Sequence, residues 1–213
     1  MGRAIGELSF FDSKINDMNF IEKIKQIISQ NIGTASTSEM IAYYGLTSKS
    51  ELQYRDIIAF NLYKNLKNEY FVTREWNKCD LAILNKETGL PLLLLEFKVC
   101  YNVDLYKTST IKEYVTSIKN DFIKSKKLGN EQTEIYSILF IFKPEQVIPD
   151  NLKKIVKYSS SINAGLKKLD YKNLDNIGEA NLRNEFENIE FIHVRKDNAF
   201  GINCGLGYCI ISE

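Results

Sequence analysis

The sequence predicts an α/β fold, a mixed central sheet flanked by helices, on three observations. Apolar residues recur at helical spacing up to residue 66 and again beyond residue 106. Short apolar or alternating runs of strand length fall between and after these segments. A chain of 213 residues, 44% hydrophobic and 26% charged, is long enough for one buried core and too balanced in composition for a disordered or coiled-coil chain. The expected organisation is a single domain over 1–213: a helical extension at 1–46, a core at 47–143 and a C-terminal extension at 144–213.

Residues 18–30 carry Phe20, Ile21, Ile24, Ile27 and Ile28 on one helical face. A short helix at 38–44 is expected to stop at Gly45. Ser48 to Leu66 forms the next helix, with Leu52, Ile58, Leu62 and Leu66 on a face that Tyr54, Ile57 and Phe60 widen. Strands follow at 69–76 and 79–84, then turn chemistry at Asn85-Lys86-Glu87-Thr88-Gly89, then a strand at 91–100. A long lysine-rich helix at 106–128 ends at Gly129-Asn130, and Ile135 to Phe142 reads as a buried strand closed by Pro144. Beyond Pro149 the pattern weakens through a lysine-rich segment and an acidic stretch from Asp170 to Glu190. Strands resume at 189–195 and 206–212, with Gly201, Gly205 and Gly207 as the turn between them.

The net charge is +1, so no global field points to nucleic acid or membrane, and any charged surface must be local. No run of 18 apolar residues exists, and Met1 to Gly6 lacks a signal-like apolar region, so the cytoplasm is the expected compartment. Cys79, Cys100, Cys204 and Cys209 lack metal-ligand spacing and His193 is the only histidine, which favours buried reduced thiols over a zinc site. Only five of the 28 basic residues are arginine, a bias that discounts lysine density as a sign of function.

The informative segment is Leu92-Leu93-Leu94-Leu95-Glu96-Phe97-Lys98-Val99-Cys100. A strand this apolar belongs inside a sheet, where an unpaired charge is costly or titrates away. Period two places Glu96 and Lys98 on one face and Leu93, Leu95 and Phe97 on the other. A hairpin centred on Thr88 sets Leu81 against Leu95, Ala82 against Leu94, Ile83 against Leu93 and Asp80 against Glu96. Two opposed carboxylates repel unless a cation lies between them, and Mg²⁺, content with one or two carboxylates and water, suits that place. The competing structural reading is a Lys98–Glu96 ion pair at the rim of the sheet.

With Asp80 opening one strand and Glu96-Phe97-Lys98 on the next, in the order helix, three strands, helix, strand, Ser48 to Phe142 resembles the PD-(D/E)XK nuclease superfamily, the restriction-endonuclease-like fold. Cys79 stands where the motif has its proline. The resemblance implies a core of order α-β-β-β-α-β and hydrolysis of phosphodiester bonds, in DNA first and in a restriction or defence role by analogy. It implies Mg²⁺ or Mn²⁺ held by Asp80, Glu96 and the carbonyl of Phe97, with Lys98 aiding the attacking water. Glu51 matches the acid such helices add to the site; its rival role is a capping box, Ser48-Lys49-Ser50-Glu51. Glu75 is an alternative third acid. Lys119, Lys124 and Lys126 are candidate nucleic-acid contacts, or a solvated helix face. The competing function is a catalytically inactive module that keeps the fold and binds nucleic acid or protein. No membrane partner is expected, and the oligomeric state, including a homodimer, is not fixed by the sequence.

Overall fold

The computed structural model describes residues 19–34 and 39–213. The expectation for Met1 to Gly6 lies outside them. Helix α1 (Phe20–Asn31) buries the five apolar residues of its predicted face, and Asn19 caps it by accepting from the Glu22 N–H. Helix α2 (Met40–Thr47) runs past Gly45 instead of stopping there: a Cβ at Gly45 would overlap the Phe142 ring, so the glycine serves close packing. Helix α3 (Glu51–Leu66) buries Tyr54, Arg55, Ile58, Ala59, Leu62 and Leu66. Leu52 and Phe60, assigned by spacing to the buried face, are exposed. The apolar stripe is narrower than the composition suggested, and a guanidinium occupies part of the inner face.

Strands β1 (Tyr70–Trp76), β2 (Cys79–Asn85) and β3 (Pro91–Tyr101) form an antiparallel meander. In the β2–β3 turn the Asn85 side chain accepts the N–H groups of Glu87 and Thr88, and Gly89 supplies a positive φ of 70°. A short helix α4 (Asn102–Leu105) precedes α5 (Thr108–Leu128), which carries the chain across to β4 (Glu134–Pro144), parallel to β3. A helical crossover is what parallel neighbours require.

The C-terminal region is more ordered than its pattern indicated. A 3₁₀ turn, α6 (Ser159–Leu166) and α7 (Tyr171–Glu185) fill the weak segment. The acidic stretch is therefore largely helix, capped by Asp170 accepting from the Asn173 N–H. Strands β5 (Asn188–Ala199) and β6 (Ile202–Ser212) turn at Phe200 and Gly201, both at positive φ. Gly205 and Gly207 lie inside β6, beneath the side chain of the buried Lys143, and not in the turn.

The six strands form one mixed sheet in the order β1-β2-β3-β4-β6-β5, with helices on both faces. One face packs Leu81, Leu95, Phe97, Phe140 and Tyr208 against α1, α2 and α3. The other packs Cys100, Leu139, Ile141 and Cys209 against Ile111, Val115, Ile118 and Phe122 of α5 and Leu182 of α7. All four cysteines are buried and free, and burial pushes the Cys79 thiol up to about 12, so it stays protonated and inert. Among the described residues no helix is long and apolar enough to cross a membrane.

Candidate active site

The site forms where β2 begins and β3 continues past it. The ladder between them holds Ile83–Leu93, Ala82–Leu94 and Leu81–Leu95 in the predicted register, slips by one residue at Leu84–Pro91, and stops before the expected Asp80–Glu96 pair, which is not formed. From Glu96 to Tyr101, β3 is paired with β4 on one side and with no β2 residue on the other. That free edge presents the N–H groups of Phe97 and Val99, which point the same way because N–H direction alternates along a strand.

Acidic side chains take both donors. Asp80 Oδ2 accepts the Phe97 N–H at 2.8 Å, and the carboxylate of Glu51, from the first turn of α3, takes the N–H of Val99. Lys98 Nζ completes the edge by donating to the Phe97 carbonyl at 3.1 Å. The three elements α3, β2 and β3 thus bring Glu51, Asp80 and Lys98 around one stretch of backbone. The capping box is not formed: Ser50 is the N-cap and makes no side-chain cap bond, and the Ser48 hydroxyl donates to the Tyr44 carbonyl of α2.

Glu96 lies on the opposite side of the sheet from Phe97, beneath α5, with its side chain 4% exposed. The Lys98–Glu96 ion pair of the competing structural reading is not formed. Lys98 pairs with Asp121 Oδ2 of α5 at 2.7 Å, and Glu96 Oε1 pairs with Lys124 Nζ at 2.5 Å. Lys124 also donates to the Lys78 carbonyl at 2.9 Å and lies 3.4 Å from Asp121 Oδ1. No directed hydrogen bond reaches Glu96 Oε1.

Burial dominates the titration of these groups. It pushes the Glu96 carboxyl up to about 7; Lys124 opposes the rise, while Asp80 and Asp121 reinforce it. Burial also raises the Glu51 carboxyl, partly offset by Lys98. For Lys98, burial lowers the pKa, but Asp121, Glu51 and Asp80 outweigh it and hold the ammonium protonated.

Other predicted residues lie around this centre. Glu75 forms an ion pair with Arg55, whose buried guanidinium also bonds Asp56 at 3.0 Å and stands 4.0 Å from Asp80 Oδ1. Lys119 and Lys126 pair with Glu185 and Glu213 on the surface, whereas Lys124 turns into the site. Sequence reading missed the place of Asp121, Lys124 and Arg55. The i, i+3 spacing of Asp121 and Lys124 on a helix that must cover the Glu96 face is the signal that could have found the first two.

The donor set suits a hard cation: two carboxylates and a backbone carbonyl, with no sulfur or imidazole. Among the described residues no group of three His, Cys, Asp or Glu side chains is placed to hold a metal by itself. A metal on Asp80 and Glu96 would therefore draw its remaining ligands from water and substrate, the manner of Mg²⁺.

No protein-family model matches this chain, and no curated protein matches its sequence. Among solved structures, the type IIG restriction endonuclease BpuSI is similar over 66% of this chain, at 16% identity and a TM-score of 0.30. The chain spans 18% of that enzyme's length, and a likeness this slight carries no argument about function.

Proposed function

We propose that this chain is a metal-dependent nuclease that hydrolyses phosphodiester bonds, with DNA as its substrate. One observation carries the reading: Asp80 and Lys98 hold the N–H and C=O of the same residue, Phe97, at 2.8 and 3.1 Å, beside the buried Glu96. An ion pair alone would not need to bring two acids and an ammonium to one open strand edge.

Asp80, Glu96 and the Phe97 carbonyl would hold Mg²⁺ or Mn²⁺, which supplies charge stabilisation at the phosphate and lowers the pKa of a bound water. Lys98, kept protonated and half-buried by its acidic neighbours, orients the attacking water or stabilises charge on the phosphoryl oxygens. Glu51, fixed by the Val99 N–H, sits within reach of Lys98 and holds that ammonium in position. Arg55 restrains Asp80 from the other side.

The second reading, an inactive module that binds nucleic acid or protein, is favoured by the lysines already paired with Glu96 and Asp121. Titration calorimetry with Mn²⁺ separates the two. The nuclease reading expects the wild type to bind the ion, Asp80→Asn to lose that binding, and Lys98→Ala to retain it while cutting more slowly. Wild-type protein that binds no ion favours the module.

A further inference from the structure

The Lys124 ammonium occupies the position where a cation on Glu96 belongs. It lies 2.5 Å from Glu96 Oε1, closer than its other partners, the Lys78 carbonyl at 2.9 Å and Asp121 Oδ1 at 3.4 Å. Glu96 is buried and receives no directed hydrogen bond at that oxygen, so Lys124 alone among the described lysines pairs with it. The Lys124 side chain itself is 35% exposed. Its base is fixed on α5, and its side chain is far more open to solvent than that of Glu96.

Two cations cannot share Oε1 of Glu96, the oxygen that Lys124 contacts. A dication binds a carboxylate oxygen at about 2.1 Å, and an ammonium pressed against the same group is both crowded and repelled. Asp121 gives the displaced lysine somewhere to go. It lies one helical turn before Lys124 on the same face, and it already anchors Lys98 through its other oxygen at 2.7 Å. A lysine leaving Glu96 stays tethered at the mouth of the site, beside Lys98.

We propose that Lys124 is a place-holding cation: it neutralises Glu96 until a divalent metal arrives, then moves to Asp121 and the substrate phosphate. It is a positioning residue, and Asp121 is the post for both lysines. The proposal rests on the metal reading above. It explains how a carboxylate this deeply buried is kept paired and ready for a metal ion.

Lysine acylation read by mass spectrometry on the full chain tests this without any activity measurement. Adding Mn²⁺ should raise the acylation rate of Lys124 several-fold and leave Lys119 unchanged, and Asp80→Asn should abolish the rise. In calorimetry, Lys124→Gln should bind Mn²⁺ roughly two- to five-fold more tightly than wild type, the gain expected from removing one competing partly exposed ion pair. Lys119→Gln, which removes a charge elsewhere on the helix, should bind as wild type does. If wild type binds Mn²⁺ through Asp80 but Lys124 reacts at the same rate with and without it, the place-holder is wrong and the metal site stands. If neither wild type nor Lys124→Gln binds the ion, both readings fail, and Lys124 is a permanent partner of Glu96.

Discussion

Lys98 reaches Asp121 on α5 at 2.7 Å, although Glu96 lies two residues away on the same strand. The side chain spans from β3 to the covering helix and donates on the way to the carbonyl of Phe97. Lys98 therefore stays near Asp80 without neutralising Glu96, and Glu96 is left to Lys124. This division of partners governs how the site responds to pH and to substitution.

Glu96 makes the folded protein less stable as the pH rises. Its carboxyl is pushed up to about 7 from an ordinary value of 4.5. Between these values the native state keeps a proton that the unfolded chain has released. The contribution to stability is fully present below about 4.5 and is lost as pH rises through about 7. In chelator, denaturation of wild type and Glu96→Gln should show the glutamine variant gaining on wild type between pH 5 and 8, by on the order of 2 kcal/mol. A difference that does not change with pH would mean that Glu96 is ionised throughout this range.

Ser48→Ala should be nearly neutral, within about 0.5 kcal/mol, because the hydroxyl bonds Tyr44 of α2 and caps nothing on α3. A true cap would cost about 1 kcal/mol. Glu51→Gln keeps the shape that accepts the Val99 N–H but removes the charge facing Lys98. It should leave the melting temperature almost unchanged and reduce cleavage by tenfold or more, on the order of 1.4 kcal/mol in the barrier. Equal losses of stability and activity would mark Glu51 as structural.

Much of this arrangement was legible in the sequence. The β2–β3 register followed from Leu81, Ile83, Leu93 and Leu95 alternating against a turn at Thr88, because one wrong step would have turned every leucine to the other face. Glu96 stood out for the same reason, a charge in a run that had to be buried. The partners of these charges were not legible. Which lysine meets Glu96 depends on how α5 lies across the sheet, and α3 exposes Leu52 and Phe60 while burying Arg55, against its apolar pattern. The helices after Pro149 were missed because their buried faces are thin: α7 buries only Leu174, Gly178 and Leu182.

Lys119 and Lys126 remain the exposed candidates for phosphate contact on α5, each paired with a surface carboxylate that nucleic acid could replace. Changing both to glutamine should flatten the dependence of log affinity for duplex DNA on log salt by about 1.8, the release of counterions at two phosphates. An unchanged slope would assign them to a solvated face and place the nucleic-acid path elsewhere.

The central claim is that Asp80, Glu96 and Lys98 form a hydrolytic centre, and its most direct test is cleavage of a mixed pool of duplex DNA, single-stranded DNA and RNA in Mn²⁺ by wild type and Asp80→Asn. Asp80→Asn preserves the side chain's shape and removes one negative ligand. Wild type should cleave DNA, and cleavage should be lost with Asp80→Asn and with Ca²⁺ in place of Mn²⁺. A wild type that leaves all three substrates intact, or cleavage that persists undiminished in Asp80→Asn, would contradict it.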